Sequence, residues 1–419
     1  MEANAKKRLT VLTITTSEAG TFRDCRRKWQ LAYEQGLRPN ITAKPFAFGH
    51  ASHAGLEAAY RTIGTVPASE LTQTAAAAAA AATWASLANW VAETEAAGGP
   101  DWDAVTFYQE AREVADVALW GVQFYLEQYG GGAGRPGDLG RLVPIAIEAP
   151  FSVPLIDSRG RPVQHLRFAG VWDLVAYDPD CGDVVIYDHK TTASDTSGLD
   201  IKADLDPQMA GYLYALRHEL ATNPERFLAV IRPQLGHHPR AQEAMDAITA
   251  TGAAAPVIGR VCYNVIRKRK PAVPKVNQDG TVSVAAIDTL ASWYQQALDT
   301  QALTGKPVNA KQADLLARLE GKGPAAYVSR REFWRTTDDV ERWRVAAFAQ
   351  ATDMRAAGRD PRMAYRNPGH CGHAWSMSCA YRSICVDESP EAMAHYTVRA
   401  RHTEVDAANE RMEAMEGGE

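Results

Sequence analysis

The sequence predicts an α/β fold, a strand-built core with helical segments inserted before and after it. Three observations predict it. Helical patterning fills most of residues 15–129 and stops at the flexible break "GGGAGRPG". Strand patterning then takes over, with "DPDCGD" as the turn of a hairpin. A helix beginning near Pro207 follows that hairpin, and further strand-like runs come after it.

The elements follow in order. "SEAGTFRDCRRKWQLAY" reads as a helix with a basic face, and a turn around Pro39–Pro45 ends it. "FAFGHASHAGLEAAY" is the next helix. "LTQTAAAAAAAATWASLANWVAETEAA" is rich in alanine, the strongest helix former, and Trp84, Leu87 and Trp90 recur at helical spacing, which predicts a packed helix. A helix over about 103–129 precedes the break. Three strands come next, "LVPIAIEAPFSVPL", "LRFAGVWDLVAYD" and "DVVIYDHKTT", then the helix "PQMAGYLYALRHEL". "RFLAVIRPQL" and "RVCYNVIRKRKP" read as two more strands, residues 285–358 as helix, 365–386 as irregular, and 398–419 as a polar, acidic helix or tail. The expected organisation is an N-terminal helical segment (1–44), a core (45–280) with a helical insertion at 70–130, a helical and cysteine-bearing region (281–397), and the tail (398–419).

Composition narrows the partners. The 419 residues are 46% hydrophobic and 23% charged, an ordinary globular balance. A net charge of −5 excludes a general polycation, so any nucleic-acid surface must be local. No apolar run approaches the length of a membrane span, and the first twenty residues lack a signal-peptide pattern, which predicts a soluble cytoplasmic protein.

The chemistry concentrates in "FAGVWDLVAYDPDCGDVVIYDHKTT", residues 168–192. Charges inside apolar strands are costly unless something pairs with them. Asp188 and Lys190 are two apart and share a strand face, and the hairpin brings Asp173 beside them. Two carboxylates and an ammonium suit phosphodiester hydrolysis: carboxylates hold a divalent cation that activates water, and the lysine orients water or stabilises developing charge. Taken alone, the Asp-x-Lys fragment reads equally well as a charged hairpin end.

Four motifs in order over residues 45–215 resemble the PD-(D/E)XK nuclease superfamily, in its RecB/AddB-like branch with CRISPR-associated and bacteriophage-encoded iron–sulfur exonucleases. "GHASH" matches Gly-x-x-x-His at Gly49 and His53; "GVWD" matches Gly-x-x-Asp at Asp173; "DHK" is the Asp-x-Lys of Asp188 and Lys190; "QMAGY" matches Gln-x-x-x-Tyr at Gln208 and Tyr212. The resemblance implies a restriction-endonuclease-like core, a central mixed sheet flanked by helices. It implies His53, Asp173 and Asp188 as ligands of Mg²⁺ or Mn²⁺, with a carbonyl near His189 completing the shell. It implies Lys190 as the catalytic ammonium, and Gln208 and Tyr212 as residues that orient DNA and lysine. Glu57 lies one turn after His53 on the same face. His50 reads as structural or surface. Glu148 sits on the preceding strand, where this family often has an acid; a surface or strand-pairing role is favoured for it over a metal role.

Three of six cysteines cluster in "HCGHAWSMSCAYRSIC". A disulfide framework is not expected without a secretion signal. Iron–sulfur clusters usually take four thiolates. The iron–sulfur members of the family draw the fourth from the N-terminal helix, where Cys25 stands in "FRDCRRKW", with Arg26 replacing the family's usual proline. The resemblance thus implies a 4Fe–4S cluster on Cys25, Cys371, Cys379 and Cys385, joining the N- and C-terminal segments. Zn²⁺ is the alternative, with His370 or His373 as further ligands. Cys181 and Cys262 read as unligated.

"CRRKW", "IRKRKPAVPK" and "SRREFWRTTDDVERWR" set basic residues beside aromatics, and Arg267, Lys268, Arg269 and Lys270 are the expected DNA-backbone contacts. The resulting expectation is a metal-dependent DNA exonuclease acting on a free end or single strand, in bacterial or phage recombination or repair. A recombination or annealing protein, or a helicase, would act in trans, because the chain has no phosphate-binding GxxxxGK[ST] loop. The rivals are a CRISPR-adaptation nuclease that trims spacer precursors and a non-catalytic DNA-binding module.

Overall fold

The computed structural model describes residues 11–40, 44–97, 103–131, 137–194, 205–252, 255–285, 288–372 and 379–416. Its centre is a six-stranded mixed sheet: β1 (Leu12–Ile14), β3 (Val143–Ile156), β4 (Pro162–Asp178), β5 (Asp183–Thr192), β6 (Arg260–Arg267) and β7 (Val328–Trp334). A separate two-stranded ribbon pairs β2 (Leu37–Pro39) with β8 (Tyr396–Val398).

The helices are α1 (Thr16–Asp24), α2 (Arg26–Trp29), α3 (Lys44–Arg61), α4 (Ala68–Ala97), α5 (Ala104–Tyr125) and α6 (Asp138–Arg141) ahead of the long strands. After them come α7 (Pro207–Thr222), α8 (Glu225–Ile231), α9 (Ala241–Thr249), α10 (Ala291–Leu303), α11 (Ala310–Lys322), α12 (Thr337–Arg359) and, beyond some short turns, α13 (Thr403–Glu416).

β4 organises the sheet. One edge pairs antiparallel with β3 along most of its length. The other edge is shared: β1 runs parallel to residues 166–168, and β5 runs antiparallel to residues 174–178. Residues 169–173 lie between these two partners, and Asp173 stands where β4 and β5 part. β5 continues along β6 in parallel, from Ile186↔Val261 to Thr192↔Arg267.

Both faces of the sheet are covered, and β5 shows why its sequence is an unbroken apolar run. Val184 and Ile186 enter one core, with Met209 and Leu213 of α7, Phe227 and Ile231 of α8, and Met354 of α12. Val185 and Tyr187 enter the other, with Leu56 of α3, Leu87 and Trp90 of α4, and Val122 of α5. Each such side chain contributes about 1.5–3 kcal/mol on burial. The alanine run makes α4 narrow enough to lie close on α3. At their crossing, a Cβ on Gly55 would collide with Thr83 Oγ1 and stand 3.2 Å from the Ala79 carbonyl.

Four expectations change. "RFLAVIRPQL" is mostly helix, not strand: Phe227, Leu228 and Ile231 are its buried residues, at helical spacing, and Pro224 opens the helix. Within 285–358, residues 328–334 form the edge strand β7 rather than helix. The short strand β1 was not anticipated. Trp84 is 55% exposed, whereas Leu87 and Trp90 pack as expected. Residues 403–416 are helical, with Val405 and Ala408 buried as α13 packs against β3 and β4. No helix among the described residues is long and apolar enough to cross a membrane.

Candidate active site

The site forms where β4 and β5 separate. Their pairing ends at Leu174↔Tyr187, so Asp173 and Asp188 stand just beyond the last pair. In place of a ladder bond, the His189 backbone N–H donates to Asp173 Oδ2 at 2.6 Å. Gly170 opens the floor: a Cβ there would come within 2.7 Å of the Phe151 ring and 3.3 Å of the Tyr212 ring. This gives the glycine of the "GVWD" motif a steric reason.

Glu148 reaches the same place from β3. Pairing of Ile147 with Leu174 and Ala149 with Trp172 sets it opposite Asp173. Its φ of 44° is a left-handed backbone in the middle of a strand. Such a conformation at a non-glycine residue costs on the order of 1–3 kcal/mol and tends to occur at functional sites. The carboxylate stands 3.8 Å from His53 Nδ1, which is itself 3.6 Å from Asp173 Oδ2. Among the described residues, His53, Glu148 and Asp173 are the group whose ligand atoms all fall within 4.8 Å of one another.

Asp188 and Lys190 form the adjoining half. Lys190 Nζ is 2.6 Å from Asp188 Oδ2. The Gln208 side chain bridges the pair, accepting from Lys190 Nζ at 2.9 Å and donating to Asp188 Oδ1 at 2.8 Å. Asp206 caps α7, with Pro207 in its first turn, and so fixes where Gln208 begins. Tyr212, one turn later, presses its ring edge-on against Phe151 and lines the cavity.

The electrostatics suit a cation. Burial pushes the Asp188 carboxyl up to about 6, helped by Asp173 and opposed by Lys190. Burial and Glu148 likewise raise Asp173, against the pull of His53. Burial pulls His53 down, but Asp173 and Glu148 outweigh it and lift the imidazole to about 9. Lys190 is lowered by burial and raised more by Asp188 and Asp173, so it stays an ammonium. Crowded carboxylates of raised pKa are the arrangement a divalent ion relieves. Asp188 Oδ2 is buried with the Lys190 ammonium 2.6 Å away, and a carboxylate oxygen so paired keeps a second lone pair for a metal. The donor set of one imidazole and three carboxylates fits Mg²⁺ or Mn²⁺.

A cavity of about 990 Å³ opens onto His53, Glu148, Asp173, Gln208 and Tyr212. Its lining also includes His50, Asn89 and Trp90 of α3 and α4, Thr15–Ser17, and Arg399, Thr403 and Val405.

Other predicted residues lie elsewhere. The His189 ring stacks on Tyr60 and meets the His53 ring edge-on, while its backbone N–H serves Asp173. Glu57 pairs with Arg61 at 2.9 Å instead of facing a metal. The basic run after β6 is tied to the protein itself: Arg267 and Arg269 each lie 3.1 Å from Asp288, Lys268 donates to the Pro45 carbonyl, and Lys270 pairs with Asp116.

The cysteines of interest share one region. Cys25 Sγ accepts from the Asn367 N–H at 3.4 Å, and the Cys379 N–H donates to the Cys371 carbonyl. Cys379 and Cys385 pack against Leu31, Leu37, Tyr381 and Ile384. None of the six cysteines forms a disulfide; Cys262 is buried in β6 and Cys181 is exposed in the hairpin turn. His373 lies outside the described residues.

Glu148 is the residue that the sequence undervalued. An acid on the strand before the hairpin was the available signal, but the backbone turn that swings it inward leaves no mark in the sequence.

A mixed sheet carrying an Asp/Glu/His cluster beside an Asp–Lys pair has the donors that metal-dependent phosphodiester hydrolysis requires. The family model described as the PD-(D/E)XK nuclease superfamily matches residues 13–386, and the chain belongs to that superfamily. No curated protein matches the sequence. Membership makes the chain a nuclease of a superfamily that generally uses Mg²⁺ or Mn²⁺ on DNA.

Proposed function

We propose that the protein is a metal-dependent DNA exonuclease of the RecB-like type, with an iron–sulfur staple, working in the cytoplasm in bacterial or phage recombination or repair. The observation that carries the reading is the convergence of His53, Glu148 and Asp173 beside the Asp188–Lys190 pair. His53, Asp173, Asp188 and Glu148 would hold Mg²⁺ or Mn²⁺, which supplies an activated water and neutralises charge at the scissile phosphate. Lys190, held by Gln208 and Asp188, presents its ammonium to the phosphate oxygens. Arg269, exposed beyond its pair with Asp288, and Lys270, paired with the exposed Asp116, are the proposed backbone contacts beyond the cavity; Arg267 and Lys268 serve the fold.

For the cysteine region the proposed group is a 4Fe–4S cluster on Cys25, Cys371, Cys379 and Cys385, supported by the fold bringing Cys25 against Asn367 and Cys379 against Cys371. Zn²⁺ on the same thiols is the alternative, and iron content separates the two.

Digestion of end-labelled linear DNA with Mn²⁺, against a covalently closed circle, tests the activity. The linear substrate should be degraded from its ends and the circle spared. Asp173→Ala, Asp188→Ala and Lys190→Ala should each lower the rate by about 10²-fold or more. A Lys190→Ala protein that digests at the wild-type rate would overturn the site.

A further inference from the structure

The hydrogen bonds that hold Lys190 extend beyond Gln208. We propose that Tyr263, acting through Asp206, is a positioning residue that sets the Lys190 ammonium toward the scissile phosphate; this rests on the nuclease reading of the site.

Tyr263 stands on β6 directly across from Asp188. Its hydroxyl donates to Asp206 Oδ2 at 2.7 Å. The other oxygen, Asp206 Oδ1, accepts the Gln208 backbone N–H at 2.8 Å and so starts α7. The Gln208 side chain then divides between Lys190 and Asp188, through the two bonds already described. A second contact closes the loop: the Tyr263 ring lies 5.6 Å from Lys190 Nζ. One residue thus touches the lysine through its ring and reaches it again through its hydroxyl.

The arrangement answers a need of the chemistry. A lysine is a point charge on a flexible stem, and Lys190 is 37% exposed at its side chain. A misplacement of 1 Å at a reacting centre can cost about 10²-fold. Many residues could cap α7. Tyr263 adds a fixed rotation of that cap, and with it a fixed origin for Gln208.

Two variants separate positioning from packing. Tyr263→Phe keeps the ring and removes the donor. Asp206→Ser keeps a good helix cap and removes the acceptor. On end-labelled DNA with Mn²⁺, each should lower kcat about tenfold, with KM and the half-saturating Mn²⁺ concentration unchanged. The double variant should be no worse than either single, because both break one chain. Wild-type kcat in Tyr263→Phe, additive losses, or a loss confined to KM or to metal affinity would each overturn the proposal. A second readout needs no cleavage: acylation of Lys190, followed by peptide mass spectrometry, should be faster in both variants while other lysines keep their rates. Equal Lys190 rates would overturn the positioning role even in an active nuclease. A wild-type protein that cleaves no DNA would instead sink the nuclease reading, and the acylation rates would still decide whether Tyr263 holds the lysine.

Discussion

In the metal-free site, His53 holds a proton that a cation must displace. Its imidazole is lifted to about 9, because Asp173 and Glu148 outweigh the effect of burial, while Asp188 is pushed up to about 6 by burial. A metal needs a neutral imidazole nitrogen and ionised carboxylates, so protons compete with it. Below about 6 Asp188 takes up a proton as well; between about 6 and 9 His53 is the competitor. Apparent Mn²⁺ affinity should therefore rise with pH up to about 9, and binding near neutral pH should release about one proton per ion. Calorimetry in two buffers of different ionisation enthalpy measures that proton, and identical heats in both would show that His53 is not displaced. His53→Ala should weaken metal binding and abolish the buffer dependence. At this scale the sequence was informative where residue type alone carries the chemistry, as with Asp173, Asp188, Lys190 and Gln208. It was silent where backbone geometry decides: the left-handed φ of Glu148 is what brings its carboxylate to the cluster.

Between elements, the contact that most constrains the cavity is that of α3 with α4. Gly55 leaves no room for a methyl group against Thr83 Oγ1, Val122 and the Ala79 carbonyl. Gly55→Ala should force the two helices apart at a cost of about 1–3 kcal/mol, seen as a lower urea midpoint. It should also slow cleavage, since α4 carries Asn89 and Trp90 into the cavity. Adding Thr83→Ala should recover part of the stability; no change in either variant would mean that this crossing does not hold the helices. The hairpin of β4 and β5 and the helix α7 were legible because period and turn chemistry agree there. β7 was not, because Arg330 and Arg331 look like solvent-facing charge. In the fold Arg330 reaches inward to Asp138, Asn264 and the Tyr125 hydroxyl. The basic run after β6 misled for the same reason: a sequence displays charges but not partners, and Lys270 finds Asp116 from 154 residues away.

Across the whole molecule, the two ends of the described chain are fastened together. β2 pairs with β8, Tyr381 donates to the Leu37 carbonyl, and Cys25 lies against Asn367. If a 4Fe–4S cluster sits there, it closes a loop of nearly the entire chain, and the chain-entropy relation gives about 6 kcal/mol for such a cross-link. Cys25→Ser, Cys371→Ala, Cys379→Ala and Cys385→Ala should each yield colourless protein with a much lower Tm. Cys181→Ala and Cys262→Ala should keep the brown colour. Iron content and visible absorbance across the six variants check this, and full iron in the Cys25 variant would remove that residue from the ligand set.

The same fastening acts on the protein while it is being made. Glu18 is fully buried, with Trp29, Arg401 and His402 as its partners, and Arg401 lies 383 residues further along the chain. At about 5–20 residues per second, a ribosome needs roughly 20–80 s to cover that distance. Through that interval the carboxylate of Glu18 lacks the Arg401 guanidinium that pairs with it in the folded chain, and burying it without that partner is costly. The part of the cavity lining that Arg399 supplies is missing for the same interval. A nascent or interrupted chain is therefore an unfinished nuclease, and DNA near its ribosome meets a complete cleft only after synthesis has passed residue 401.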